Sequence, residues 1–310
     1  MGIVFALIAG LFMPLTNFTV RKSLDVGGNT RGYFVFQMFS TLICAYLFGP
    51  LRTGDYSVTL PAALLGSIAG VILCAMLFSL GSALEKGPPG FTFAILNSAT
   101  VVPGILMAIL FGATLGYEFK FAHALGSAIV LFGLFWAGKG MRGLSNLNRW
   151  LIFSASMFLF HVLLLALYQW RGLLLNPQRP ENLFSFFSLE QMKSECFVPF
   201  MFLTSGLIQV FIFLRKEMRM PKQGEILYGF AGGVSNFLVT FFLLAAARAA
   251  SPIENALIYP IFSVVGIILT NFWGQKFYQE QVNWRACQLC AFGLIVGTVD
   301  WRAVAAAIGF

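Results

Sequence analysis

Long apolar runs, separated by short polar breaks, make up most of the chain. Ten can be placed, at about 3–20, 33–50, 60–84, 90–114, 119–138, 150–169, 197–214, 225–247, 252–274 and 284–300. Their lengths match the ~20 residues that a helix needs to cross ~30 Å of hydrocarbon. Barrel strands would show short segments of alternating polarity instead. Backbone groups find no water partners in lipid, so continuous apolar runs predict helices. The breaks carry stop and start signals. Proline in Leu84-Glu85-Lys86-Gly87-Pro88-Pro89-Gly90 ends the third run and opens the fourth. In Arg248-Ala249-Ala250-Ser251-Pro252, Ser251 suits a cap and Pro252 a first helical position. Between the sixth and seventh runs, residues 170–196 form a long loop. There Ser188 and Gln191 have capping-box spacing, which fits a short interfacial helix as well as a solvated loop.

The pattern repeats internally. A shift of 163 residues lays Pro89 on Pro252, Val101-Val102 on Val264-Val265, and Ile105-Leu106 on Ile268-Leu269. Each copy then meets a polar break, with Glu118 or Glu280, and ends in a Gly-bearing run: Gly126 and Gly133, or Gly293 and Gly297. Both acids suit short turns and helix starts. Five runs precede the hydrophilic segment 139–149 and five follow it. An odd number per half makes the second half enter the membrane from the other side. The expected fold is all-α, with ten transmembrane helices in two inverted repeats, 1–141 and 142–310, a plan common among secondary transporters.

Composition strengthens the membrane reading. Hydrophobic residues make up 58% of the chain, charged residues 10%, and mean hydropathy is +0.82; soluble chains carry about 25% charge. The net charge of +8 does not point to nucleic acid, because the 20 basic residues are spread over short loops. Five cysteines, an odd number mostly within apolar runs, do not form a disulfide framework. Cys287 and Cys290 read as small residues on one helix face rather than as metal ligands. No cofactor is implied. The first run follows the start directly, without a basic stretch, so a cleaved signal peptide is not expected.

Polar residues inside the runs are the candidates for a solute site, since such groups usually face a cavity or a partner. They are Asn17 in the first run, Asn97 and Thr100 in the fourth, Asn236 in the eighth, and Tyr259 and Ser263 in the ninth. Asn97 and Thr100, like Tyr259 and Ser263, share a helix face, and the repeat lays Thr100 on Ser263. These residues could equally serve to pack helices, Asn236 most of all because it follows Gly232 and Gly233. His161 stands alone among apolar residues, where it could carry protons or simply bond a neighbouring helix. His123 is expected at the interface, and Glu85 with Lys86 at a solvated junction or gate.

Ser251-Pro252 through Pro260, Val264-Val265-Gly266, Glu280 and Gly293-Leu294-Ile295, with their counterparts in the first copy, resemble the drug/metabolite transporter superfamily, EamA type. The polar turns depart from the family's usual Gly-Glu. The resemblance implies a non-enzymatic transporter moving a small organic solute, such as an amino acid, a nucleoside-like compound or another metabolite. Transport would proceed by alternating access, with proton coupling an option, in a multi-pass inner (plasma) membrane setting of bacterial type. It also implies cytoplasmic termini. Most basic loop residues lie on the side opposite the N-terminus, which predicts the reverse. A membrane-embedded enzyme acting on a lipid-linked substrate, or an assembly or sensor protein, are the alternatives.

Overall fold

The computed structural model describes residues 1–87, 89–112, 115, 120–137, 147–176, 188–251, 254, 257–279 and 283–298, and all of its regular structure there is helical. Helix α1 (Gly2–Asp25) turns through Gly27, at φ +78°, into α2 (Thr30–Tyr46). The Asn29 side chain caps α2 by accepting the Gly32 N–H at 2.8 Å. A π-helical turn, Leu47–Leu51, extends α2 around Pro50. Helix α3 (Leu60–Leu84) ends at the proline-bearing break.

The fourth run is not one helix. It forms α4 (Pro89–Ser98), a 3-10 turn (Ala99–Val101) and α5 (Val102–Phe111). Pro103 has no N–H to offer the carbonyl four residues back, so the α-helical ladder is interrupted there. Then come α6 (Phe121–Ala137), α7 (Leu147–Leu174), the short α8 (Leu189–Met192), α9 (Phe197–Glu217), α10 (Gln223–Ala249), α11 (Ile258–Tyr278) and α12 (Trp284–Thr298). Ser188 caps α8 as its spacing predicts, accepting the Gln191 N–H at 3.3 Å. Ser251 accepts the Glu254 N–H at 3.3 Å, but α11 begins only at Ile258, after Leu257, so Ser251 is not its cap. Glu118, Glu280, Pro88, Pro252, the loop 177–187 and the segment 138–146 lie outside the described residues.

Among the described residues, seven helices are long and apolar enough to cross a membrane: α1, α2 with its π turn, α3, α7, α9, α10 and α11. Three shorter apolar stretches accompany them, Ile95–Phe111, Phe121–Gly133 and Trp284–Gly297. Large apolar side chains such as Leu7, Ile68, Leu163, Leu207 and Phe230 point outward, as a lipid-facing surface requires. The inward faces carry small and polar residues, which let helices approach closely where lipid supplies no hydrophobic driving force. On α10, Gly233 lies so close to α2 that a Cβ would stand 2.5 Å from the Gln37 carbonyl oxygen and from Ser40. Ser40 and Thr41 bond back to the Phe230 and Gly233 carbonyls at 2.8 and 2.9 Å. The packing value foreseen for Gly232-Gly233 is therefore real. The principal neighbours are α1 with α10 and α11, α2 with α9 and α10, α3 with α7 and α9, α6 with α12, and α7 with the α4–α5 segment.

Candidate functional site: a cavity within the bundle

A cavity of about 100 Å³ lies between α1, α2, α3, α4, α7, α10 and α11. An engineered apolar cavity of about 150 Å³ holds a benzene, so this space is of small-solute scale. Most of its wall is apolar and aromatic: Met13, Tyr33, Phe34, Met76, Phe93 and Phe262. Polar groups enter at Thr16, Asn17, Gln37, His161 and Asn236. Among the described residues, no lining side chain carries a fixed charge.

Three of the residues singled out in the sequence meet here. Asn17 donates to Thr270 Oγ1 at 3.4 Å, and Asn236 donates to Thr41 Oγ1 at 3.5 Å. His161 is buried, with Nδ1 2.8 Å from the Leu96 carbonyl oxygen. A carbonyl can only accept, so Nδ1 carries the proton and a neutral ring keeps Nε2 as an acceptor.

The other four do not line this cavity. Helix α4 ends at the 3-10 turn, and the last carbonyls of a helix need outside donors. Leu96 O receives the His161 ring N–H. Asn97 O receives two hydroxyls, from Thr100 at 2.7 Å and Ser263 at 2.9 Å. Thr100 and Ser263, matched in the repeat, thus converge on one carbonyl at the break. Tyr259 is fully buried and donates to Leu165 O at 3.2 Å, tying α11 to α7. Tyr259→Phe should cost about 1 kcal/mol of stability, the net worth of one hydrogen bond. Ligand affinity at the cavity should stay unchanged, as paired melting and binding measurements would show.

Gln37 was missed in the sequence, hidden in an apolar run. Its side chain is 2% exposed and lines the cavity, and its Oε1 has no partner among the described residues. The Thr16 hydroxyl is orphaned in the same way. A buried unsatisfied polar atom costs about 1–3 kcal/mol.

The cavity lies toward the α1–α2 turn, since Tyr33 and Gln37 stand early in α2 and Leu77 and Leu80 late in α3. Ion pairs lace the loops at that end. Arg31 binds Glu217 at 2.6 Å and Glu85 at 3.5 Å, and Arg219 bridges Glu217 at 3.3 Å to Glu225 at 2.5 Å. The Glu225 hydrogen bond raises the Arg219 guanidinium above its already high range. Glu85, expected at a solvated junction or gate, therefore belongs to a network. His123 stands at the start of α6, 5% exposed, and its Nδ1 accepts the Lys120 N–H at 3.1 Å. Cys287 and Cys290 are free thiols that pack against Asn271 and Val130. Among the described residues no group of His, Cys, Asp and Glu could hold a metal.

Fold and composition define an all-helical, multi-pass membrane protein. No protein-family model matches the chain. No curated protein matches it either. Solved structures do, in 27 chains. One of them, described only as "Crystal structure of protein", is 16% identical with a TM-score of 0.67, covering 96% of this chain and 98% of that one. At that identity the likeness speaks for the fold alone, over nearly its whole length.

Proposed function

We propose that this protein is a transporter of the drug/metabolite transporter type, moving a small uncharged organic solute through the cavity between its two halves. The observation that carries this reading is a largely apolar cavity in which Gln37 Oε1 and Thr16 Oγ1 are buried without hydrogen-bond partners among the described residues, and which the His161 ring also lines. A solute bearing N–H or O–H donors and a flat or apolar body would fit it. That description suits a nucleoside-like compound better than a strongly zwitterionic one.

Ten spans in two inverted repeats fit the packing. Exchanging the halves, so that α1, α2, α3, α4–α5 and α6 trade places with α7, α9, α10, α11 and α12, turns α1–α10 into α7–α3. It also turns α2–α10 into α9–α3, and α1–α11 into α7–α4–α5, while α2–α9 and α6–α12 map onto themselves. Each of these principal pairs is thus matched by a packed pair, whereas the lesser α7–α10 contact is not matched by one between α1 and α3. Alternating access would rock these equivalent elements around the cavity. The broken α4–α5 segment resembles the discontinuous helices that line transporter sites.

Solute uptake into vesicles reconstituted with the full chain tests the reading. Gln37→Leu should keep or raise stability, because it removes an orphaned polar atom, yet cut flux at least ~10-fold, equivalent to about 1.4 kcal/mol. Undiminished flux in a folded Gln37→Leu protein would remove the cavity from the transport path. His161→Gln should flatten the pH dependence of flux if the ring moves protons. An unchanged profile would return His161 to capping Leu96.

A further inference from the structure

At the end of the bundle opposite the ion-pair network lies a second cavity, of about 220 Å³, with a different chemistry. Its wall is made by the end of α2 and its π turn, the last turns of α7 and α10, and the α8–α9 junction. Among the described residues it holds four cations, Arg52, Arg171, Lys193 and Arg248, against one carboxylate, Glu195. At the other end of the molecule Arg31 and Arg219 are each paired with carboxylates. Here the cations outnumber the acids.

The clustering is built into the packing. Helices α7 and α10 cross at Gly172, where an added Cβ would stand 2.9 Å from the Ala247 carbonyl oxygen. Their backbones therefore touch one residue away from Arg171 on one helix and Arg248 on the other, and both the Glu195 carboxylate and Arg248 act electrostatically on Arg171. The Arg171 guanidinium lies 4.5 Å over the Phe197 ring, which fixes its plane. Lys193 and Glu195 are held in place because Ser194 donates to Ser57 O at 2.5 Å and Thr59 to Gln191 O at 2.6 Å.

Part of this charge has a local explanation. Arg171 and Arg248 complement the C-terminal dipoles of their helices, and Arg52 Nε donates to Phe48 O at 2.9 Å. That does not account for Arg171 Nε, which is buried and has no hydrogen-bond partner among the described residues. A guanidinium fork left open in a cationic cavity matches a tetrahedral oxyanion, which arginine grips through two parallel bonds.

We propose that this vestibule is a binding site for a phosphate group, held by Arg171 and Arg248 with Lys193 at the rim. The group could belong to a soluble phosphate compound or to a phospholipid headgroup, and the chemistry of recognition is the same. The site does not depend on the transporter reading, since it is tested by binding rather than by flux.

The experiment is a melting and calorimetric titration of the purified full chain in lipid-free detergent, with inorganic phosphate against sodium chloride at equal ionic strength. A parallel arm compares nanodiscs of phosphatidylcholine with nanodiscs containing phosphatidylglycerol. Saturable stabilisation by phosphate, weakened at least ~10-fold in Arg171→Gln and restored in part by Arg171→Lys, supports a soluble ligand. Stabilisation by phosphatidylglycerol alone, lost in Arg171→Gln, supports the headgroup. Lys193, on an exposed loop, gives a second variant should Arg171→Gln fail to fold: Lys193→Gln should weaken binding about threefold. No stabilisation in either arm, or stabilisation indifferent to both substitutions, would overturn the proposal.

Discussion

Glu225→Ala should lower the stability of the purified protein by about 3–5 kcal/mol, the range for removing one partner of a buried, hydrogen-bonded ion pair. Glu225 is fully buried. Its carboxylate accepts two bonds from Arg219, at 2.5 and 3.1 Å, and the backbone N–H groups of Lys222 and Asn29, each at 2.8 Å. It therefore closes the first turn of α10, anchors the α1–α2 turn and neutralises Arg219. Gly32 packs directly on the carboxylate, so a larger replacement has no room, and alanine leaves four donors facing an empty space. Denaturant titration in mild detergent would measure the loss. Glu225→Gln should recover part of it, because the amide oxygen still accepts one or two of the bonds. A loss below about 1 kcal/mol in the alanine variant would mean that water replaces the carboxylate freely and that this end of the bundle is looser than its geometry indicates.

Gly126→Leu should be nearly as damaging, by a steric route. Helices α6 and α12 cross with their backbones in contact. A Cβ on Gly126 would lie 2.5 Å from Gly293 O and 2.6 Å from Gly297 Cα, and one on Gly293 would lie 2.9 Å from Gly126 O. Backbone cannot step aside as a flexible side chain can, so the pair must separate along its length. Overpacking costs about 1–3 kcal/mol in ordinary cores, and a clash against backbone belongs at or above the upper end. The readout is the melting temperature together with the monodisperse fraction on size exclusion. Gly54→Ala makes a control, since nothing lies within 4 Å of a Cβ there; its left-handed φ of +72° should cost only about 1–2 kcal/mol. A Gly126→Leu protein that melts like the parent would show that α6 and α12 are not held at this distance.

Much of the architecture was legible because lipid removes choices. An apolar run long enough to span has to be helical, and the glycines that recur near the ends of the two copies, Gly126, Gly293 and Gly297, turned out to be one crossing. The Ser188 cap was legible too, since its geometry is local, whereas α11 starts at Ile258, beyond the Ser251 position the sequence suggested. Asn17, His161 and Asn236, for which packing was equally open, line the cavity. Asn97, Thr100, Tyr259 and Ser263 carried the same apparent signal and went elsewhere. A polar side chain within an apolar run announces that it needs a partner, but not whether that partner is a solute or a carbonyl. For Thr100 and Ser263 the 3-10 turn at Ala99–Val101 decides it, by freeing the Asn97 carbonyl that both hydroxyls satisfy, while Tyr259 donates to Leu165 O and Asn97 Oδ1 has no partner among the described residues. Gln37 escaped notice for the opposite reason, since its run reads as unremarkable lipid-spanning sequence. The basic vestibule was invisible as well. Its four cations come from the ends of four separate segments, and counting loop charges spreads them over the surface as anchors.

The interruption between α4 and α5 also has a mechanical meaning. An unbroken helix resists bending because each residue is tied to the next turn by the same ladder of bonds. Here, at the middle of the fourth segment, the tie is replaced by three side-chain hydrogen bonds, from Thr100, His161 and Ser263. Two of these come from other helices, α7 and α11. The segment therefore behaves as two stiff rods on a joint whose angle is set by its neighbours, and a shift of α7 or α11 is passed to α4 or α5 as a rotation at that joint without unwinding a turn.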